Sequence, residues 1–226
     1  MKKYSLHIGT SGWSYKHWRG TFYPENVKVK DQFAYYADKF DSVQINNTFY
    51  GMPADETFQA WENQVSEDFI YVIKANRFIT HMKKLNNPED SLPIFMEKVK
   101  FLRNNLGPIL FQLPPSLKVD MRLLEDFLIA LSPKNRYVFE FRNSGWYFPE
   151  VYQLLEKYNA AFCIYELAGH MSPIQITADF VYVRLHGPDS VKYQGSYSND
   201  ILIEWAKQCL EWLQTRDVFV FFDNDE

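Results

Sequence analysis

Eight short apolar runs recur along the chain at nearly regular intervals, and this repeat constrains the fold more than any other feature. The runs are rich in Val, Ile, Phe and Tyr and cover residues 4–9, 42–46, 69–74, 108–112, 136–141, 160–165, 180–186 and 218–223. Their ends lie about 31 residues apart on average, which is the length of a strand, a helix and two loops. The repeat predicts eight β-strands that alternate with helices.

Residues at helical spacing fill most intervals between the runs. Apolar positions three or four residues apart occur at Phe95, Val99, Leu102 and Leu106, at Leu123, Phe127 and Leu131, at Val151, Leu155 and Tyr158, and at Leu202, Trp205, Cys209 and Trp212. The interval between residues 165 and 180 leaves room for one helical turn or none.

Eight alternating units predict an α/β fold, a TIM-type (β/α)8-like barrel of eight parallel strands. An open doubly wound sheet is the rival, but no G-x-G-x-x-G motif follows the first run.

The length of the chain bears on how such a barrel ends. A (β/α)8 barrel typically takes about 250 residues, and this sequence has 226. Asn224, Asp225 and Glu226 resemble the start of a helix, a capping residue followed by acids, where the sequence stops. We therefore expect a single barrel domain over residues 1–226 that lacks its last helix at the C-terminus. The outer faces of strands eight and one are then expected to be partly bare, or covered by another subunit.

Composition excludes several classes of protein. The longest apolar run spans six residues, whereas a membrane-spanning helix needs about 20, so no membrane partner is expected. Cys163 and Cys209 are too few for a disulfide framework or a four-thiolate zinc site, and a reduced, cytoplasmic compartment is the simplest expectation. The net charge of −4 disfavours a general grip on nucleic acid, although it leaves room for a local basic groove. The oligomeric state is not predicted.

Polar side chains follow apolar ones on the same face at the ends of six runs. They are Gln44 and Asn46, Lys74, Gln112, Glu140 and Arg142, Arg184 and His186, and Asp223. Because side chains two residues apart on a strand share a face, the barrel interior is expected to become polar at its carboxyl end. In barrel enzymes, ligands and catalytic groups lie at this end.

These side chains allow two interpretations. Lys74, Glu140, Arg142, Arg184 and Asp223 could form a closed salt-bridge lattice that braces the barrel without chemistry. The alternative is an enzyme that acts on a phosphorylated or otherwise anionic small molecule, with hydrolysis as the mildest reaction. In that hypothesis Glu140 and His186 are the catalytic acid and base. The expected substrate-binding residues are Trp13, Asn46, Lys74, His81, Gln112, Arg142, Arg184 and Asp223.

A metal-assisted version of this reaction is a secondary hypothesis. His81, Glu140, His186 and Asp223 are of metal-ligand type and lie at strand ends. No H-x-H or H-E-x-x-H spacing supports a site, so no metal ligand is assigned and no cofactor is evident, with a divalent metal retained as an option.

The loop after the first run supplies the alternative function. Residues 9–15 (GTSGWSY) lead to Trp18, Phe22 and Tyr23. These rings could stack on a base or a sugar, which would make the protein a non-catalytic binding module for nucleic acid or carbohydrate. They could equally pack on one another as a satellite core.

Several motifs together resemble those of the domain of unknown function 72 (YecE-like) family. They are GTSGWSY at 9–15 with Trp18 and FYP at 22–24; Asn46 with TFY at 48–50 and Pro53; Lys74 with ITH at 79–81; GPILFQLPP at 107–115; EFR at 140–142 with Trp146; and VRLHG at 183–187. The stretches span nearly the whole chain. The resemblance implies a barrel related to (β/α)8 folds and no established activity.

The chain departs from the family pattern at three places. The family usually has Glu where this chain has Gln44, and often His where it has Asn143. The family chain also continues past the last strand with a further helix. If the carboxylate at the position of Gln44 has a chemical role in the family, this chain lacks it.

Overall fold

A computed structural model describes residues 3–224 and shows a nearly closed barrel of eight parallel strands surrounded by helices. The strands are β1 (Leu6–Thr10), β2 (Ser42–Ile45), β3 (Ile70–Lys74), β4 (Leu106–Leu113), β5 (Tyr137–Phe141), β6 (Ala160–Leu167), the short β7 (His170–Met171), β8 (Phe180–Leu185) and β9 (Asp217–Phe222). The sheet order is β1-β9-β8-β6-β5-β4-β3-β2, and β7 adds an antiparallel pair to the end of β6. The predicted barrel and its eight strands are confirmed.

Helices cover the outside of the sheet. They are α1 (Gln32–Ala37), α2 (Asn47–Tyr50), α3 (Asp55–Glu62), α4 (Pro88–Val99), α5 (Met121–Ala130), α6 (Pro149–Lys157) and α7 (Asn199–Trp212). Short 3-10 segments occupy Lys16–Trp18, Val29–Asp31, Lys100–Asn105 and Ser144–Trp146, and a π-helical segment occupies Phe78–Met82. In the described part of the chain, no helix is long and apolar enough to span a membrane.

Three of the four helical stripes correspond to α5, α6 and α7, and the stripe from Phe95 to Leu106 is only partly helical. The α-helix ends at Val99, and Arg103 has a positive φ of 47° that interrupts the 3-10 segment after it. Leu106 then begins β4. The four-residue spacing to Leu106 was therefore coincidental, because that side chain belongs to a strand.

The connection from β6 to β8 contains no helix, as its length suggested. Two hydroxyl groups tie it to the backbone of β6. Thr177 Oγ1 accepts from Phe162 N at 2.8 Å and donates to Ala160 O at 2.6 Å. Ser172 Oγ accepts from Tyr165 N at 2.8 Å. These bonds pair backbone groups of β6 that the flanking strands leave unpaired.

Two apolar cores fill the molecule. The inner core lies inside the barrel and consists of Val72, Leu110, Val138, Ala161, Cys163, Tyr165, Phe180, Tyr182, Phe219 and Phe221. A larger outer core lies between the sheet and the helices. Because large side chains fill the inner core, the barrel has a floor, and ligands can reach its polar groups only from the carboxyl ends of the strands.

The barrel closes between β1 and β2 through a side chain. The Tyr36 hydroxyl accepts from Thr10 N at 2.9 Å and donates to Ser42 O at 3.0 Å, so it joins the two strands where no backbone ladder is formed within residues 3–224. Gly9 permits this close approach, since a Cβ there would overlap Ser42 O. We call this line of contact the seam.

No helix follows β9 within the described residues, and Asp225 and Glu226, on which the expected helix start depends, lie outside them. The expectation of bare outer faces is wrong for β9. Its outward-facing Val218 and Val220 are buried in the outer core. On β1, Ile8 is 39% exposed, so only this strand has a partly bare outer face.

Candidate functional site at the barrel mouth

Glu140 lies at the centre of a charged cluster at the carboxyl ends of the strands, a region that we call the mouth. Its side chain is fully buried. Oε1 accepts from Arg142 Nε, and Oε2 accepts from Arg184 Nη1 at 2.7 Å. Burial by itself would raise the pKa of Glu140, but the two guanidinium groups lower it well below its usual range. Glu140 is therefore ionised at neutral pH, and both of its oxygens are occupied.

Arg184 joins two carboxylates and the first loop. Besides Glu140, it donates from Nη2 to Asp223 Oδ2 at 2.9 Å and to Ser11 Oγ at 3.4 Å. Burial raises the pKa of Asp223, but Arg184 and the other cations outweigh it and hold that pKa below its usual value. The pairing satisfies a guanidinium that is only 1% exposed, although its Nε has no hydrogen-bond partner.

His186 has one tautomer fixed by its neighbours. Arg142 Nη2 lies 3.1 Å from His186 Nε2, and because a guanidinium can only donate, Nε2 must accept. The hydrogen is then on Nδ1, which lies 2.8 Å from Asp223 Oδ2. Burial, with a further contribution from Arg184, lowers the pKa of His186 to about 4 against the opposing effect of Asp223. The ring is neutral at pH 7, with its lone pair directed at Arg142.

Lys74 differs from the other cations at the mouth because it has no anionic partner. Within residues 3–224, its ammonium makes neither an ion pair nor a hydrogen bond, and Nζ lies 4.4 Å from the centre of the Phe49 ring. The residue is half-buried at the end of β3. Burial, with a further contribution from Arg184, lowers the pKa of Lys74 to about 8.

Neutral polar groups complete one side of the mouth. Gln44 Nε2 donates to Ser11 Oγ at 3.1 Å and to Asn46 Oδ1 at 2.6 Å, which links β2 to the first loop. Gln112 lies beside Glu140 in the register of β4 and β5, is half-buried, and makes no side-chain hydrogen bond within the described part of the chain. Its amide is available to a ligand.

Trp13 and His81 have different positions from the rest of the predicted site. The Trp13 ring packs against Phe33 at 4.7 Å and Trp61 at 6.1 Å in the outer core, so the structure does not bring it to the charged cluster. His81 lies on the π-helical segment, edge-on to Phe49 at 4.9 Å. Burial and the nearby Lys74 charge lower the pKa of His81.

The residues considered for a metal do not converge. Among residues 3–224, no three His, Cys, Asp or Glu side chains are grouped so that they could hold a metal ion. Glu140 already accepts from two arginines, and His81 packs edge-on against the Phe49 ring. This donor set does not fit a metal centre.

A loop after β8 covers part of the mouth. Gly187 has a φ of 97°, and a Cβ there would overlap Gln194 O, so the loop folds back tightly on itself. The Tyr193 ring lies 5.6 Å from that of His186.

A separate cleft of about 600 Å³ lies away from the mouth, between α7 and the segment after β7, and is lined by residues such as Met171 and Trp205.

The model of the family described as "protein of unknown function DUF72" matches residues 7–226. The chain belongs to the DUF72 family. It is 25% identical over 261 residues to the UPF0759 protein YunF of Bacillus subtilis, covering 97% of this chain and 89% of YunF. It is 26% identical over 144 residues to the UPF0759 protein YecE of Escherichia coli, covering 63% of this chain and 50% of YecE.

Solved structures of DUF72 proteins share the fold. A crystal structure of a family member from Thermotoga maritima matches with a TM-score of 0.86 at 25% identity, over 98% of this chain and 93% of that chain. A family member from Enterococcus faecalis matches with a TM-score of 0.80 at 18% identity, over 97% and 89% of the two chains.

Sequence reasoning missed several side chains at the mouth of this DUF72 protein. Ser11 accepts from both Gln44 and Arg184, and its position two residues after Gly9 could have placed it on the interior face. Tyr165 lies under the Arg142 guanidinium at 4.5 Å, two residues after the interior Cys163. Phe49 lies in the TFY motif at 48–50, but no sequence signal pointed to its contact with Lys74, because that contact depends on the turn formed by α2.

Proposed function

We propose that the mouth binds a small anionic molecule and acts on it as an enzyme, with Lys74 contacting the charged group. The observation that carries this proposal is the ammonium of Lys74, which has no anionic partner although it is half-buried beside a cluster whose other charges are paired. A partly buried charge without a partner is costly in a structural lattice. An anionic ligand would supply the missing partner.

Two further groups support a ligand at the mouth. Arg184 Nε is buried without a hydrogen-bond partner, and buried donors of this kind are normally satisfied by water or a ligand. Gln112 has a free amide beside Glu140. In this proposal, Gln112 and Asn46 orient the substrate.

The electrostatics favour Lys74 over Glu140 and His186 for proton transfer. Glu140 is a weak base because two guanidinium groups stabilise its charge, and the lone pair of His186 is directed at Arg142. Lys74, with a pKa of about 8, exchanges its proton near neutral pH. Glu140 and Asp223 then position the arginines and His186. Hydrolysis of an anionic ester is the first reaction to test, because it needs only water as co-substrate.

A thermal-shift screen with sugar phosphates, nucleotides and small carboxylic acids tests the proposal. A ligand at 100 times its dissociation constant is expected to stabilise the protein by about 2.7 kcal/mol. Lys74→Met should weaken that ligand by at least tenfold, whereas Lys157→Met, on the exposed face of α6, should not. Turnover of hits is then measured with and without added divalent metal. Absence of any stabilising anion contradicts the proposal.

The alternative, a non-catalytic module for nucleic acid or carbohydrate, rests on the first-loop aromatics. These rings pack mainly on each other and on the outer core. Tyr23 is fully buried, and Phe22 contacts Trp18, Tyr23, Tyr35, Tyr36 and Phe40. This packing favours the satellite-core interpretation. Ligand binding without turnover in the screen would support a binding module.

A further inference from the structure

Lys74 has the surroundings of a nucleophilic amine as well as those of an anion-binding group. Its backbone is held in place, because Thr48 Oγ1 donates to Lys74 O at 2.7 Å and Ala75 N donates to Leu110 O at 2.8 Å. The side chain then extends beside the Phe49 ring without an ion-pair partner. A lysine that only neutralised a carboxylate would be in contact with one, and this lysine is not.

The groups facing Lys74 produce an amine that loses its proton readily. The charges that act on it through space, from the ends of β8, β5 and β9, are Arg184, Arg142, Glu140 and Asp223. His81 lies edge-on to the Phe49 ring at 4.9 Å. Burial and the arginines lower its pKa to about 8 against the two carboxylates. A substantial fraction of the amine is therefore neutral near pH 8, as nucleophilic attack requires.

We propose that Lys74 forms an imine with the carbonyl group of a small substrate that also carries a carboxylate or a phosphate. The neutral amine adds to the carbonyl carbon and forms a carbon–nitrogen bond. The carbonyl oxygen then leaves as water together with the two amine hydrogens, so the step needs no oxidant or reductant. This inference rests on the proposed function and names its substrate class.

The charges at the mouth account for the anionic part of that substrate. The Arg142 side chain is 9% exposed, with its Nε and Nη2 engaged by Glu140 and His186, and its Nη1 makes no hydrogen bond within residues 3–224. Gln112 on β4 and Asn46 after β2 offer amide groups on either side of β3, the strand that carries Lys74. The protonated Lys74 can thus attract such a compound through its anionic group, as in the proposed function. Once the amine has lost its proton, Arg142 can hold that charge while the carbonyl carbon lies at Lys74.

Reductive trapping tests the imine directly. The full chain is incubated with pyruvate or dihydroxyacetone phosphate in the presence of sodium cyanoborohydride, and the product is analysed by peptide mass mapping. We expect one adduct on Lys74, with the mass of the probe less one oxygen atom. Lactate, which lacks the carbonyl, should give none, and acetone, which lacks the anionic group, should react at least tenfold more slowly.

Two variants and a pH profile give the test its controls. Lys74→Arg should abolish the adduct, whereas Lys157→Arg on the surface should leave it unchanged. The trapping rate of the unmodified chain should be half-maximal near pH 8, and this readout stands even if Lys74→Arg does not fold. Adducts spread over surface lysines, or a rate that still rises above pH 10, would overturn the imine.

The outcome also separates this inference from the proposed function. If pyruvate or dihydroxyacetone phosphate stabilises the protein against heat without an adduct at Lys74, the anion site stands and the imine is rejected. If neither probe stabilises the protein nor forms an adduct, the imine is again rejected, and the screen of other anions decides the proposed function by itself.

Discussion

The hydroxyl of Tyr182 donates a 2.7 Å hydrogen bond to Gln44 Oε1 across the interior of the barrel. The two residues lie on β8 and β2, which are not neighbours in the sheet. Both side chains are fully buried. Since Gln44 also donates to Ser11 and Asn46, this bond fixes the boundary between the apolar inner core and the polar mouth.

Removing the acceptor should cost more than removing the donor. Gln44→Met removes the bonds to Tyr182, Ser11 and Asn46 and is expected to lower the free energy of unfolding by about 3 kcal/mol, whereas Tyr182→Phe removes one bond and should cost about 1 kcal/mol. Urea denaturation measures both. Gln153→Met, on the exposed face of α6, serves as the control. A cost at Gln44 no larger than at Gln153 would contradict the inferred bond.

Replacing Glu140 with Gln should destabilise the protein severely. The change leaves Arg142 and Arg184 without their shared buried counter-charge, and breaking a buried ion pair on one side typically costs about 3–5 kcal/mol. The isosteric change makes no cavity, so urea denaturation reports the electrostatic effect. Glu156→Gln, an exposed residue of α6, should be nearly neutral. Equal stability of the two variants would show that Glu140 is solvated instead of paired.

Stability should fall as the pH is lowered from 7 to 5, because of His186. Its pKa is about 4 in the folded protein and about 6.5 in an unfolded chain. The unfolded state therefore binds the proton first, and unfolding becomes easier by about 2 kcal/mol over this range. Below that range, Glu140 and Asp223, whose pKa values are lowered by folding, add a further loss as they become protonated.

His186→Asn separates the two effects. The variant should lose most of the pH dependence between 7 and 5 and keep the steeper loss below it, as measured by thermal unfolding at a series of pH values. His17→Asn, on the exposed first loop, is the matched control. An unchanged slope in the His186 variant would mean that another group titrates in this range.

Tyr36→Phe should weaken the seam. The change removes the hydroxyl that joins Thr10 N to Ser42 O, which leaves the partly buried Thr10 N and the buried Ser42 O unpaired at an expected cost of about 1–3 kcal/mol. Tyr35→Phe, one residue earlier and with no hydrogen bond from its hydroxyl in the described structure, should cost little. Urea denaturation compares the two. If both variants have the stability of the parent chain, the hydroxyl does not close the barrel.

The sequence predicted the repeating frame of this protein better than its contacts. Alternation along each strand placed Glu140, Arg184 and Lys74 on the interior face, because that periodicity is a property of the extended backbone. Alternation could not show that Arg184 would donate to both Glu140 and Asp223 and leave Lys74 unpaired. Those contacts depend on the distances between strands that are not adjacent in the sequence. Alternation also could not show that the Trp13 ring packs against Phe33 in the outer core, because a loop residue has no periodicity to fix its direction.

The seam has a consequence for the motions of the barrel. Seven backbone ladders join the eight strands, and the eighth boundary depends on side chains, so β1 and β2 remain the two edges of one curved ribbon. Backbone amides in regions that open locally at low free energy exchange their hydrogens with solvent first, and we expect the edge strands β1 and β2 to be such regions. A separation of β1 from β2 along the seam moves Gln44 away from Ser11 and widens the mouth at its β1–β2 side. The backbone ladders that hold Glu140 and Arg184 stay intact.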